Sequence, residues 1–197
     1  MQRPTKEEIR ELPMYVGLAL SQIIIVECTR DAAQALAVLA SEASLGFDTE
    51  SKPTFRKGEM NAGPTLIQLA TPTHAFLFPT RFPCAVAAAK VLLSDAKIKK
   101  IGFGLKGDKK ALRKKFAIEI ANTQDLAVDL RILIDEKGDI GARAAVAMML
   151  ELRLSKGAQK SNWAAYPLKN HQVEYAANDA HAAICVANCL EEYQKRQ

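Results

Sequence analysis

Three segments in the first half of the chain carry the alternation or the unbroken apolar run of β-strands: SLGFDTE (44–50), TLIQLAT (65–71) and HAFLFP (74–79). TPTH, between the last two, leaves room only for a tight turn, which predicts an antiparallel hairpin. SQIIIVEC (21–28) is a further strand candidate, and RDAAQALAVLASEA (30–43) has the period of a helix, with Asp31 placed as its cap. Helix and strand then alternate. PCAVAAAKVLLSDA (83–96) reads as helix, IKKIGFG (98–104) as strand, DKKALRKKF (108–116) as helix, and AIEIANTQDL (117–126) holds a short strand. Two helices follow, over 139–152 and 170–196. Strands first, then alternation, predicts an α/β domain with a mixed sheet and helices on its faces.

Composition narrows this further. The chain has 197 residues, 49% of them hydrophobic, with no internal repeat and no composition shift, so one domain over 1–197 is expected. Residues 1–12 mix Lys, Arg and Glu with Pro, unlike a secretory leader, and the apolar run from Met14 to Val26 is too short for a bilayer. Four cysteines in no zinc or disulfide spacing read as reduced core thiols. A cytoplasmic protein without membrane contact is the expectation. Net charge +5 and a pI near 9.0 hint at a polyanionic partner.

Candidate chemistry lies in three acidic sites. In SLGFDTE the alternation puts Leu45, Phe47 and Thr49 on one strand face and Gly46, Asp48 and Glu50 on the other. Asp48 and Glu50 are thus roughly 7 Å apart at Cα and point the same way. Two carboxylates at the end of a core strand repel unless one is protonated or a cation lies between them, and an all-oxygen set suits Mg²⁺ or Mn²⁺. Asp108 stands where a helix N-cap would. Tyr175 and Asp179, one turn apart, share a helix face, with Asp179 at the margin of the stripe Val173, Ala176, Ala180, Ala183, Ala187, Leu190. No cation neighbours Asp179 on that face, so its partner must come from elsewhere.

A rival pattern overlaps the second site. Gly102, Gly104 and Gly107 spell the dinucleotide-binding spacing between a strand and a helix, with Asp125 about 20 residues on. That would make an oxidoreductase built on GFGLKG. Too few strands follow to complete a doubly wound sheet. The lysines around the loop, among them Lys106, Lys109 and Lys110, suit a phosphate backbone.

Asp48-x-Glu50, Asp108 and Tyr175-x-x-x-Asp179, in that order, resemble the three motifs of the tyrosine-bearing branch of the DEDD exonuclease superfamily. GFDTES, PTLIQLAT, AFLFP, KKIGFGLKGDKKAL and KSNWAAYPLKNHQVEYAANDAHAA look like the Werner-type exonuclease domains, with ribonuclease D a more distant relative. The resemblance runs from about Ile23 to Glu192 and implies a ribonuclease H-like fold: a mixed sheet, first strands antiparallel, with helices on both faces. It implies a metal-dependent 3′→5′ exonuclease. Asp48, Glu50, Asp108 and Asp179 would bind two Mg²⁺ or Mn²⁺ ions, Asp48 bridging them, and Tyr175 would orient the attacking water. The substrate would be single-stranded or 3′-recessed nucleic acid, DNA in preference to RNA, with a ribonuclease D-like exoribonuclease as the alternative. A catalytically dead module of this fold would not need all five residues. Lys106, Lys109, Lys110 and Lys160 are substrate-binding candidates. Trp163 is expected in the core. The chain is too short for a helicase or for the helical repeats of ribonuclease D, so a stand-alone nuclease is expected.

Overall fold

The alternating segment at 44–50 becomes the strand around which everything else is built. In a computed structural model of the chain, describing residues 1–54 and 63–196, the elements run as follows. α1 (Lys6–Glu11), β1 (Ile23–Ile25), α2 (Thr29–Leu39), β2 (Ser44–Ser51), β3 (Pro64–Ala70), β4 (Ala75–Pro79) and α3 (Pro83–Ser94) form the first half. β5 (Lys99–Gly102), α4 (Lys106–Phe116), β6 (Thr123–Asp125), α5 (Leu126–Leu133), α6 (Ala142–Leu150) and α7 (Asn170–Lys195) complete it. The sheet order is β1-β4-β3-β2-β5-β6. β2–β3 and β3–β4 are antiparallel, whereas β1–β4, β2–β5 and β5–β6 are parallel. This is the mixed sheet with an initial antiparallel hairpin that the pattern predicts.

The two faces of β2 face two different worlds. Leu45 and Phe47 sink into a core with Ile67, Leu69, Phe76 and Phe78 beneath α2 and α3. On the other face α7 lies across the sheet, with Ala176, Ala177 and Ala180 against Leu66, Ala70 and Leu77. Small residues let α7 approach closely, and Gly46 lets it closer still. A Cβ at Gly46 would stand 1.9 Å from the Ala180 carbonyl oxygen. Gly46→Ala must therefore push α7 off the sheet. We expect it to destabilise the protein by about 1–3 kcal/mol or more, as read by thermal denaturation.

Several boundaries differ from expectation, each for a local reason. β1 is short because Leu20–Gln22 turns as a 3₁₀ helix, Gln22 tying Ala19 and Thr73 together. Asp31 does cap α2, but from its first turn, accepting from the Glu27 and Cys28 amides, while Cys28 holds the cap position. α4 starts at Lys106, so Asp108 lies inside its first turn and is not the N-cap. α1 and α5 carry no clear signal, the first having Ile9 as its one apolar residue. Among the described residues no helix is long and apolar enough to cross a membrane.

Candidate active site

Because Gly46 faces α7, so do Asp48 and Glu50, two and four positions along β2. The β2–β3 register shifts just past them, between Glu50 and Ser51, ending regular pairing where the carboxylates emerge. α7 supplies the rest. Ala176 and Ala180 seat it on the sheet, and Tyr175 and Asp179 project from the adjoining stripe towards the strand end. One carboxylate oxygen from each of Asp48, Glu50 and Asp179 lies within 4.8 Å of the other two. The Tyr175 hydroxyl donates to the Asp179 carboxylate. Its ring packs on Trp163, with centroids 5.9 Å apart, and Trp163 is buried as expected. Asp108 stands just outside the trio. Its carboxylate accepts from the Thr49 hydroxyl, on the residue between Asp48 and Glu50.

Among the described residues, no cation offsets the repulsion within this cluster. Burial and then the charges of Asp179, Asp108 and Glu50 push the Asp48 carboxyl far above its ordinary range. Burial, followed by Asp179 and Asp108, raises Glu50 to about 8. Asp108 is raised by burial against the pull of the Thr49 hydrogen bond. Asp179 is raised by burial despite the Tyr175 hydroxyl. Burial and the same carboxylates hold Tyr175 protonated. A hard divalent cation fits this donor set. Oxygens bound to one Mg²⁺ at 2.0–2.1 Å stand no more than about 4.2 Å apart, a spacing of the same order as the 4.8 Å limit within which the trio lies.

Asp48, Glu50 and Asp179 line a cavity of about 830 Å³ together with Phe47, Thr49 and Phe103. The family profile for 3′-5′ exonucleases matches residues 23–193, which takes in all five of these positions. The chain belongs to the 3′-5′ exonuclease family. An Arabidopsis thaliana 3′-5′ exonuclease is 27% identical over 147 residues, covering 72% of this chain and 50% of the relative. The Mus musculus bifunctional 3′-5′ exonuclease/ATP-dependent helicase WRN is 26% identical over 148 residues, 72% of this chain and 10% of that one. The chain thus spans half or less of these curated relatives. Among solved structures, the Aedes aegypti Nibbler EXO domain superposes with a TM-score of 0.79 at 24% identity, over 91% of each chain. Trypanosoma brucei RNase D in complex with RNA U12 gives 0.77 at 21%, over 93% of this chain and 64% of that one. These neighbours share the fold, which is the ribonuclease H-like sandwich of exonuclease domains.

Within this exonuclease fold the glycine-rich loop has another task. The Gly104 and Leu105 amides, which a dinucleotide phosphate would need, both donate to the Asp125 carboxylate at 2.8 and 2.9 Å. Asp125 also caps α5. The loop is stitched to its neighbouring strand, and the oxidoreductase reading loses its phosphate site. Lys106, Lys109 and Lys110 line a separate cavity with Leu105, Arg113 and Asp125, away from the carboxylates, and Lys109 Nζ donates to Thr123. Lys160 is exposed and does not line the carboxylate cavity, whereas Ser155, Lys156 and Gln159 do. Among the described residues, the arginines and lysines that do line it are Arg3, Lys6, Arg143 and Lys156. Sequence spacing gave no sign of Arg3, Lys6 or Arg143, because they come from elements remote in the chain. Gln68 was also missed. It lies opposite Asp48 in the ladder, fully buried, and neither amide atom has a hydrogen-bond partner among the described residues.

Proposed function

We propose that this chain hydrolyses nucleic acid one nucleotide at a time from a 3′ end. The observation that carries the reading is the convergence of Asp48, Glu50 and Asp179 within 4.8 Å, from segments more than a hundred residues apart. Asp48, Glu50, Asp108 and Asp179 would hold two divalent ions, Mg²⁺ or Mn²⁺. When bound, such a pair holds attacking and leaving oxygens in line and offsets the charge that grows on the phosphoryl group.

The chain's own side chains do the rest. Tyr175 stays protonated, so its hydroxyl can orient a water next to Asp179 but cannot act as a neutral-pH base. Trp163 holds the Tyr175 ring in place. Thr49 fixes the Asp108 carboxylate relative to β2. The water loses a proton as its oxygen adds to phosphorus, the P–O3′ bond breaks, O3′ takes up a proton to become the new 3′-hydroxyl, and a nucleoside 5′-monophosphate departs. The set is a single exonuclease domain over 1–197, and its four free thiols suit a reducing, cytoplasmic setting.

Single-stranded or 3′-recessed DNA is the preferred substrate, on the likeness to the WRN sequence. RNA is the second reading, favoured by the fold neighbour that holds RNA U12. The test is digestion of 3′- and 5′-labelled DNA and RNA strands with Mn²⁺ or Mg²⁺. A ladder shortening from the 3′ end, abolished by EDTA, is expected, and the faster of the two polymers names the substrate. Intact strands under every condition, or a ladder from the 5′ end, would refute the proposal.

A further inference from the structure

The family match begins at residue 23, yet residues before it help to enclose the carboxylate cavity. Arg3, Pro4, Thr5, Lys6 and Ile9 form part of its wall. This stretch is firmly placed. Thr5 and Glu8 close a capping box on α1, and Ile9 is buried at 5% exposure. Further along, Met14 pairs with Arg153 as an isolated parallel bridge. The Tyr15 amide donates to the Arg153 carbonyl at 3.0 Å, and the Arg153 amide donates to Pro13 at 2.8 Å. The N-terminal stretch is thereby fastened to the 151–159 segment that supplies Lys156.

Apart from Asp139, which pairs with Arg131 at 3.7 Å, the wall's charges are opposite to the floor's. Four cations line the cavity, and none has an ion-pair partner among the described residues. Arg143 Nε is buried with no hydrogen-bond partner among the described residues. It lies in the first turn of α6, whose N-terminal residues Gly141 and Ala142 line the same cavity and make no side-chain cap hydrogen bond. Cations held beside an acidic cluster without pairing to it leave their charge for a ligand that is itself anionic and extended.

We propose that Arg3, Lys6, Arg143 and Lys156 form the binding wall for the phosphate backbone of the strand being degraded, on the 5′ side of the bond that is cut. This rests on the nuclease reading above. It makes the N-terminal stretch, outside the matched family region, a substrate-holding element, and it replaces the Lys106–Lys110 cluster in that role. The contacts are to phosphates, so the binding is independent of base sequence.

The experiment reads binding rather than cutting. Asp48→Asn protein in EDTA is titrated into a short 5′-fluorescein single strand at several salt concentrations, and polarisation gives Kd. For single strands, log K falls with log salt by about 0.7 for each phosphate neutralised. Adding Arg3→Ala and Lys6→Ala should make that slope shallower by about 1.4 and weaken binding at low salt about tenfold or more. Both side chains are exposed, so folding should survive, and a melting curve checks it. The charge-keeping pair Arg3→Lys, Lys6→Arg should retain the slope. The pair Lys110→Ala, Lys114→Ala should leave it at the parent value. An unchanged slope in the Arg3, Lys6 variant overturns the assignment, as does an equal loss in the Lys110, Lys114 variant. Failure of the nuclease reading is seen separately, as uncut 3′-labelled strand with wild-type protein and Mn²⁺.

Discussion

Asp48→Asn is expected to lower nucleotide release from a 3′ end by on the order of 10³-fold or more, with the fold retained. The reason is position. Asp48 is on the central strand and opposite a buried glutamine, and the charges of Asp179, Asp108 and Glu50 all bear on it. An amide of the same shape keeps the packing but removes the charge that a bridging ligand needs. Single-turnover digestion of a 3′-labelled strand with Mn²⁺ reads the effect. Activity within tenfold of wild type would mean that Asp48 is not central to the chemistry.

In EDTA the wild-type protein should become less stable as pH rises from about 5 to 9, the reverse of ordinary acid denaturation. Glu50 titrates at 4.5 in the unfolded chain and about 8 in the folded one. Between those values the folded state holds a proton that the unfolded state has released. The folded state therefore binds more protons, and unfolding becomes easier with each step in pH. The penalty is absent below the unfolded value and complete above the folded one. For Glu50 alone it amounts to roughly 3–5 kcal/mol, and Asp48 and Asp179 move in the same direction. Thermal melts in EDTA across this range should show Tm falling. Asp48→Asn should flatten the fall and raise Tm at pH 8, so the substitution that ends catalysis stabilises the metal-free protein. Mn²⁺ should also reverse the trend, because carboxylates bind cations in their deprotonated form. A Tm in EDTA that is constant or rising with pH would contradict the buried, unpaired cluster.

How far the sequence foretold this depends on distance along the chain. SLGFDTE declared its two faces because a strand's side chains alternate, and the paired acids at its end followed from the same rule. Tyr175 and Asp179 were placed on a common face by helical spacing alone. Asp108 was harder: locally it looks like a cap, and only the Thr49 hydroxyl, 59 residues earlier, shows that it belongs beside β2. The glycine spacing misled for a similar reason, since Asp125 fills the amides that the pattern would offer to a phosphate. The lysine cluster drew the eye by density, but α4 turns Lys106, Lys109 and Lys110 towards a different cavity. The cations that share the carboxylates' cavity come from scattered places, Arg3 and Lys6 from the N-terminal stretch, Arg143 from α6 and Lys156 from the 151–159 segment. No local pattern announces residues that meet only through tertiary packing.

Trp163 is the single tryptophan of the chain and is packed against Tyr175. Selective excitation of the indole therefore produces light from one place only, beside the cluster of acids. The protein carries its own optical gauge there. Cation loading can be followed by intrinsic emission in unlabelled material, with no dye to disturb the cleft.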